Sequence, residues 1–281
     1  MMELHLTRDA HQFATLAGPL LAARIELNVH ATVLSQVLDG AHPEPPPLFA
    51  YGVGNLGRVT FAALRTPPWP MLACAIDAPA PRELVRLWLA EDPDLPGVTG
   101  EPMLAGAIST AWEELTGRAA RRRMAAAMHA LSEVTGPPRP AAGALRIAAT
   151  SDRDLLVGWE EAFVAEAGAG VRGQAERTID RRLASGMQLV WDDRGPVSTL
   201  ALTAPIAGVT RIAAVYTPPE LRNHGYAGSL VAAASRRALA AGASRCMLFT
   251  DLANPTSNRL YASLGYRRIG DWEDRSFDRG A

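Results

Sequence analysis

The sequence predicts an α/β chain in two halves, the second of them a mixed, mostly antiparallel sheet flanked by helices. Three observations predict it. The stretch Thr135-Gly136-Pro137-Pro138-Arg139-Pro140-Ala141-Ala142-Gly143 is accepted by neither a helix nor a central strand, and it divides 281 residues almost evenly. Downstream, three strand-patterned runs succeed one another through Asp-Arg-Gly-Pro and Ala-Gly turns that suit antiparallel hairpins. After them a helix, a strand and a second helix alternate. The expected organisation is an N-terminal domain over 1–136, a stiff linker over 137–142 and a C-terminal domain over 143–281.

In the first half the spacing predicts helices over 9–22 and 25–38, strands over 47–53, 58–64 and 71–76, and helices over 81–90 and 102–116. Segment 118–134 (RAARRRMAAAMHALSEV) is helical by propensity, yet its position before the linker equally suits a strand. Gly52-Val53-Gly54-Asn55-Leu56-Gly57 matches the G-x-G-x-x-G of dinucleotide folds, with Asp77 twenty residues past Gly57. A dinucleotide fold needs a helix directly after the last glycine, whereas this chain continues into the β-patterned RVTFAALR. The glycines therefore read as a hairpin turn.

The second half opens with a strand over 144–149 and a helix start at Ser151-Asp152-Arg153-Asp154. Helices come next over 152–167 and 174–185, then strands over 187–192, 197–204 and 209–216. A helix over 226–241 is rich in Ala and Leu and stops at Gly242. A strand over 245–250, a helix over 256–263 and a final strand pair around 266–278 complete the order.

A formal net charge of -1 provides no global field for nucleic acid or membrane, and the basic runs Arg121-Arg122-Arg123 and Arg181-Arg182 lack interleaved aromatics. Lysine is absent and arginine carries all the positive charge. Cys74 and Cys246 each lie in an apolar run and read as buried thiols, so neither a disulfide framework nor a metal site is expected. The start MMELHLTRDA lacks the features of a signal peptide, and no run of apolar residues is long enough to span a bilayer. These readings place the protein in the cytoplasm, as a monomer or homodimer.

The chemistry concentrates in VYTPPELRNHGYAGSL, residues 215–230. Pro218 and Pro219 end the strand, small residues let backbone N–H groups approach a ligand, and a long helix begins. A strand, a glycine-bearing loop and a helix N-terminus form an anion site, because the first N–H groups of a helix lack internal partners and carry the positive end of its dipole.

Arg222-Asn223-His224-Gly225-Tyr226-Ala227 resembles the [QR]-x-x-G-x-[GA] pyrophosphate loop of the GCN5-related N-acetyltransferases (GNAT). Downstream, Asn254-Pro255-Thr256-Ser257-Asn258-Arg259-Leu260-Tyr261-Ala262-Ser263-Leu264-Gly265-Tyr266 is similar to the N-x-x-[AS]-x-x-x-Y-x-x-x-G-[FY] segment of the same family. The two together resemble bacterial members near the FR47-like, glycine-N-acyltransferase-like group. The first half resembles the same fold without the loop, as in tandem GNAT proteins, and is expected to be a degenerate copy that shapes the acceptor pocket.

The resemblance implies acetyl-CoA as cofactor and a small amine or amino acid as acceptor. Backbone N–H groups from Asn223 through His224, Gly225, Tyr226, Ala227 and Gly228 to Ser229 would meet the pyrophosphate, with Arg222 adding charge. It implies that strand 209–216 diverges from strand 245–250, so that Ala214, Val215 and Thr217 pair with the pantetheine arm and the Val215 N–H polarises the thioester carbonyl. Asn254 would bond a pantetheine amide, Asn258 would face the cofactor, and the Tyr261 phenol would protonate the departing thiolate. For the general base Glu166, Asp251, His224 and water stay open, since strand 209–216 has no Asp or Glu. A sequential N-acetyltransferase is the expected activity, and a silent acyl-CoA-binding module is the alternative.

Overall fold

Strand β2 (Leu48–Val53) shows why the first half layers as it does. Its side chains alternate, Leu48 and Ala50 entering one apolar cluster and Phe49 and Tyr51 another, which is the period of two that puts successive residues on opposite faces of a sheet. In the computed structural model, which describes residues 2–24, 28–40, 45–168 and 173–278, both faces are covered by helices. Two compact units emerge, residues 1–126 with 271–281 and residues 127–270. The segment 137–142, expected as the boundary between domains, falls inside the second unit.

In the first unit β1 (Glu3–Thr7), β2, β3 (Val59–Arg65) and β4 (Met71–Ala75) are antiparallel neighbours, and β5 (Gly97–Gly100) runs parallel to β4. Helices α1 (Ala10–Ala23) and α2 (Asn28–Leu38) bury Phe13, Leu20 and Leu34 on one face. Helices α3 (Pro81–Glu91) and α4 (Pro102–Thr116) bury Trp88, Ile108 and Trp112 on the other. Gly52–Gly57 forms the expected hairpin turn, with the Gly54 N–H donating to the Arg58 carbonyl at 2.9 Å. Part of the predicted helix over 25–38 lies outside the described residues, and its remainder is α2.

Each unit is completed by a strand from the other half of the sequence. Strand β6 (Ala120–Leu131) continues into the second unit, where Ala127, Met128 and Leu131 are buried. The open choice at 118–134 thus resolves as a strand. The last strand, β12 (Arg267–Phe277), enters the first unit and pairs antiparallel with β5 from Glu273↔Gly100 to Ser276↔Gly97. There the Phe277 ring stacks on Trp112 at 4.3 Å, and the Trp272 Nε1–H donates to Thr99 Oγ1 at 2.6 Å.

The strand pair expected around 266–278 is therefore one continuous strand. Gly270-Asp271 looks like a turn, but Gly270 is not among the positive-φ glycines, and a Cβ there would sit 2.7 Å from Met128 Cε. The glycine makes room for a side chain instead of reversing the chain.

In the second unit the order of neighbours is β6, β11 (Arg245–Asp251), β10 (Val209–Tyr216), β9 (Pro196–Leu202), β8 (Gln188–Asp192) and β7 (Ala144–Ile147). The hairpins are antiparallel, and β10 and β11 are parallel. Helices α7 (Tyr226–Ala240) and α8 (Pro255–Ser263) pack one face around Leu230, Leu248 and Tyr261. Helices α5 (Arg153–Ala167) and α6 (Ala175–Ala184) cover the other face through Leu156 and Ile179.

Candidate active site

Strands β10 and β11 pair only at Val209↔Arg245, Thr210↔Cys246 and Arg211↔Met247. Both strands run on, β10 to Tyr216 and β11 to Asp251, without further pairing between them. Toward β9 the strand bulges, because Ala213 faces Ala201 and Tyr216 faces Thr199, so three steps on β10 answer two on β9. Ala214, in the bulge, sits at φ 49, a left-handed conformation that costs an alanine about 1–2 kcal/mol. Such strain persists only where surrounding structure enforces it, and it clusters at functional sites. Residues 213–215 keep partial exposure in the middle of the unit's sheet. The divergence expected of these strands is present.

At the end of β10 the chain turns through Pro219–Leu221 and reaches α7. Asn223 and Gly225 lie at φ 66 and φ 83. Gly225 caps α7 without a side chain to satisfy the helix, and among the described residues the N–H groups of Asn223 through Gly228 find no partner. This cluster of donors at a helix N-terminus suits a pyrophosphate. Ser229 does not join them, since its N–H donates to the Gly225 carbonyl at 3.0 Å and its Oγ accepts from the Ala141 N–H at 2.9 Å.

The segment 137–141 lies against this loop. Arg139 Nη1 donates to the Asn223 carbonyl at 2.9 Å, and a Cβ on Gly225 would approach the Arg139 carbonyl oxygen to 2.5 Å. Glycine is required there twice over, by its φ and by that carbonyl. Gly228 has a packing reason as well, because a Cβ would meet Leu260 Cδ1 at 3.1 Å.

Several expected side-chain roles are taken up inside the protein. Arg222 binds both oxygens of Glu166, at 2.9 and 2.7 Å, and donates from Nε to the Thr217 carbonyl at 2.9 Å. Its charge is thereby paired inside the protein, the Thr217 carbonyl is occupied, and Glu166 is an ion-pair partner. Thr217 Oγ1 lies 2.8 Å from Ser198 Oγ. His224 rests its ring 5.6 Å from that of Tyr226 and places Nδ1 3.2 Å from the Leu221 carbonyl. The Tyr226 hydroxyl donates to Asp193 at 2.8 Å.

Asp251 and the two asparagines build the entry to α8. Asp251 Oδ1 accepts from the Ala253 N–H at 2.8 Å, and Asn254 Oδ1 caps the helix by accepting from the Ser257 N–H at 3.0 Å. Asn258 Nδ2 donates to the carbonyls of Asp251 and Asn254 at 2.8 and 2.7 Å. What these side chains leave for a ligand is Asn254 Nδ2 and Asn258 Oδ1.

Tyr261 keeps an unengaged hydroxyl. It lies in the apolar cluster that Val215 packs against, its ring meets that of Tyr266 edge-on at 6.0 Å, and nothing among the described residues hydrogen-bonds its oxygen. Burial pushes its pKa up to about 12, so the phenol holds its proton at neutral pH. Tyr266, by contrast, engages Ser235 Oγ at 2.9 Å and belongs to the core. Sequence reasoning misses Arg211, whose signal is a single charge inside the otherwise apolar VTRIAAVY.

A split between parallel strands, a bulge beside it and a donor-lined loop leading into a helix define the GNAT fold, here in tandem form. Residues 198–276 match the family model described as FR47-like protein. A GCN5-related N-acetyltransferase from Sphaerobacter thermophilus superposes with a TM-score of 0.59 at 15% identity, over 100% of this chain and 96% of that one. An acetyltransferase of the GNAT family from Colwellia psychrerythraea gives 0.60 at 10% identity, over 98% and 100%. A tandem GNAT protein from the clavulanic acid biosynthesis pathway gives 0.57 at 14% identity, over 99% and 98%. Comparison with curated proteins returns no match.

Proposed function

We propose that the chain transfers an acetyl group from acetyl-CoA to the primary amine of a small molecule, directly and without an acyl-enzyme. The observation that carries this reading is the early end of β10–β11 pairing beside the Ala214 bulge, which frees backbone groups along a slot beside a cluster of anion-binding N–H groups. Acetyl-CoA supplies an activated acyl group and a thiolate leaving group. The chain's residues supply the rest. The N–H groups of Asn223 through Gly228 hold the pyrophosphate, and the free backbone of Ala214 and Val215 holds the pantetheine arm. The Val215 N–H stabilises negative charge developing on the carbonyl oxygen. As the amine nitrogen bonds to the carbonyl carbon and the carbon–sulfur bond breaks, the Tyr261 hydroxyl gives its proton to sulfur, and the proton that the amine nitrogen loses passes to water, from which the phenolate is reprotonated.

Direct transfer is supported by the two cysteines. Both are buried, with pKa values pushed up by burial to about 12 for Cys74 and about 11 for Cys246, which makes them poor nucleophiles at neutral pH. One observation favours the second reading, a silent acyl-CoA-binding module: Glu166 is held by Arg222, and Asp251 caps a turn. Calorimetry with acetyl-CoA, and then thiol release with a panel of amines, separates the two. Binding with turnover on an amine supports transfer, binding without turnover on any acceptor supports the module, and no binding overturns both.

A further inference from the structure

Arg211 is a cation without a counter-ion. Its Nε is closed off from water, and among the described residues its guanidinium has neither a hydrogen bond nor an ion pair. The charge acting on it is another cation, Arg182, whose own partner is Glu160 at 2.8 Å. Burial and Arg182 push the Arg211 pKa down to about 10, which still leaves it protonated at neutral pH. The residue is partly exposed and only its Nε is shut off from water, so the unpaired guanidinium is within reach of an anion that enters from solvent.

A second unmet group shares its face. Gln188 is 1% exposed, donates from Nε2 to Thr199 Oγ1 at 2.6 Å, and has an Oε1 with no partner. The register aligns Gln188 with Ala201 and Ala201 with Ala213, two residues from Arg211, so Gln188 and Arg211 project from the same face of the sheet. Between them lie two alanines. A donor and an acceptor, both unsatisfied, thus flank these alanines beside the strand split, Ala201 buried and Ala213 partly exposed.

We propose that Arg211 binds a carboxylate of the acceptor, so that the amine acetylated belongs to an amino acid or an amino-carboxylate of similar size; this rests on the transferase reading. A planar guanidinium matches a carboxylate through paired N–H donors, and the match is strongest away from water. Arg211 lies three residues before Ala214, about 10 Å along a strand. A small amino-carboxylate anchored by the long arginine side chain covers that span to the bulge, where the acetyl carbonyl would lie. Gln188 Oε1 is placed to accept an N–H from the same ligand.

The test compares α-, β- and γ-amino acids with their carboxamides, in the wild type and in Arg211→Met, by thermal shift with CoA present and by thiol release with acetyl-CoA. The wild type should prefer the acids by about 10²-fold or more, and Arg211→Met should reduce that preference to nearly none while binding CoA as before. Equal use or binding of acids and amides by the wild type would overturn the proposal, as would an unchanged preference in a folded Arg211→Met. If that variant does not fold, the wild-type comparison alone decides. Failure of the transferase reading shows separately, as loss of CoA binding in calorimetry or as acid-selective binding without thiol release.

Discussion

The Tyr261 ring is buried in the second unit's core, while no described residue hydrogen-bonds its hydroxyl and that oxygen is not among the side-chain atoms closed off from water. A hydroxyl left free of protein partners and still within reach of a ligand makes a sharp prediction. Tyr261→Phe removes one oxygen and keeps the ring, so stability should hold or rise and acetyl-CoA affinity should change little. The single-turnover rate should fall by about 10²-fold or more. A rate within about twofold of wild type would remove Tyr261 from the mechanism. Its pKa, raised to about 12, gives a second readout: the folded state holds this proton more tightly than the unfolded chain, so the associated stability is fully present below pH 10 and is lost as pH rises toward 12. Alkaline denaturation of Tyr261→Phe should therefore show a shallower loss over that window than wild type. Residue types and spacing make Tyr261 and the loop legible. They do not show that Arg222 turns to Glu166 or that Asn254 spends its oxygen on a helix cap, because those outcomes depend on partners 56 residues away or on local geometry. Arg211 escapes notice in the sequence because its meaning lies in what is absent around it.

At the scale of elements, the loop and the start of α7 present one series of unpartnered N–H groups, and the segment 137–141 braces it. Gly225→Glu, the obvious disruption, would confound binding with folding, since φ 83 and the Arg139 carbonyl both exclude a side chain. Ala227→Glu isolates the question. Ala227 comes after Tyr226 in the first turn of α7, where a carboxylate is favoured by the helix dipole by about 0.3–1 kcal/mol, yet the added charge would occupy the place proposed for a phosphate. The melting temperature should stay within a few degrees while CoA affinity falls by about 10²-fold or more; unchanged affinity in calorimetry would detach this turn from the cofactor. Most elements are legible from their periodicity, including β2, β3, α7 and β11. Three are not. Strand β5, Gly-Val-Thr-Gly, has too few side chains to show a pattern, and the alanine-rich β6 is a strand only because its neighbours make it one. Strand β12 hides its continuity behind a glycine that serves Met128.

At the scale of the molecule, the exchange of β6 and β12 means that the linker does not mark a separable domain. A fragment over 143–281 lacks Ala127, Met128 and Leu131, all buried in the second unit, and it should fail to give a cooperative thermal transition, whereas the whole chain should give one.

The same comparison of units leads to an expected number of cofactor sites. In the first unit β4 and β5 also pair in parallel over only three positions, Met71↔Val98 to Ala73↔Gly100, so the fold offers a similar parting of strands. The connection after β4 differs. Residues Ile76-Asp77-Ala78-Pro79-Ala80 lead to α3 without a glycine, and Pro81 opens the helix. Two prolines remove two N–H donors where the second unit offers an unbroken series from Asn223 to Gly228. An anion would meet too few donors there. We therefore expect one CoA per chain, measured as the stoichiometry of a calorimetric titration. Ala227→Glu should abolish the whole of the observed heat rather than half of it. Saturation at two equivalents, or a residual site of full strength in that variant, would mean that the first unit binds CoA without a glycine loop.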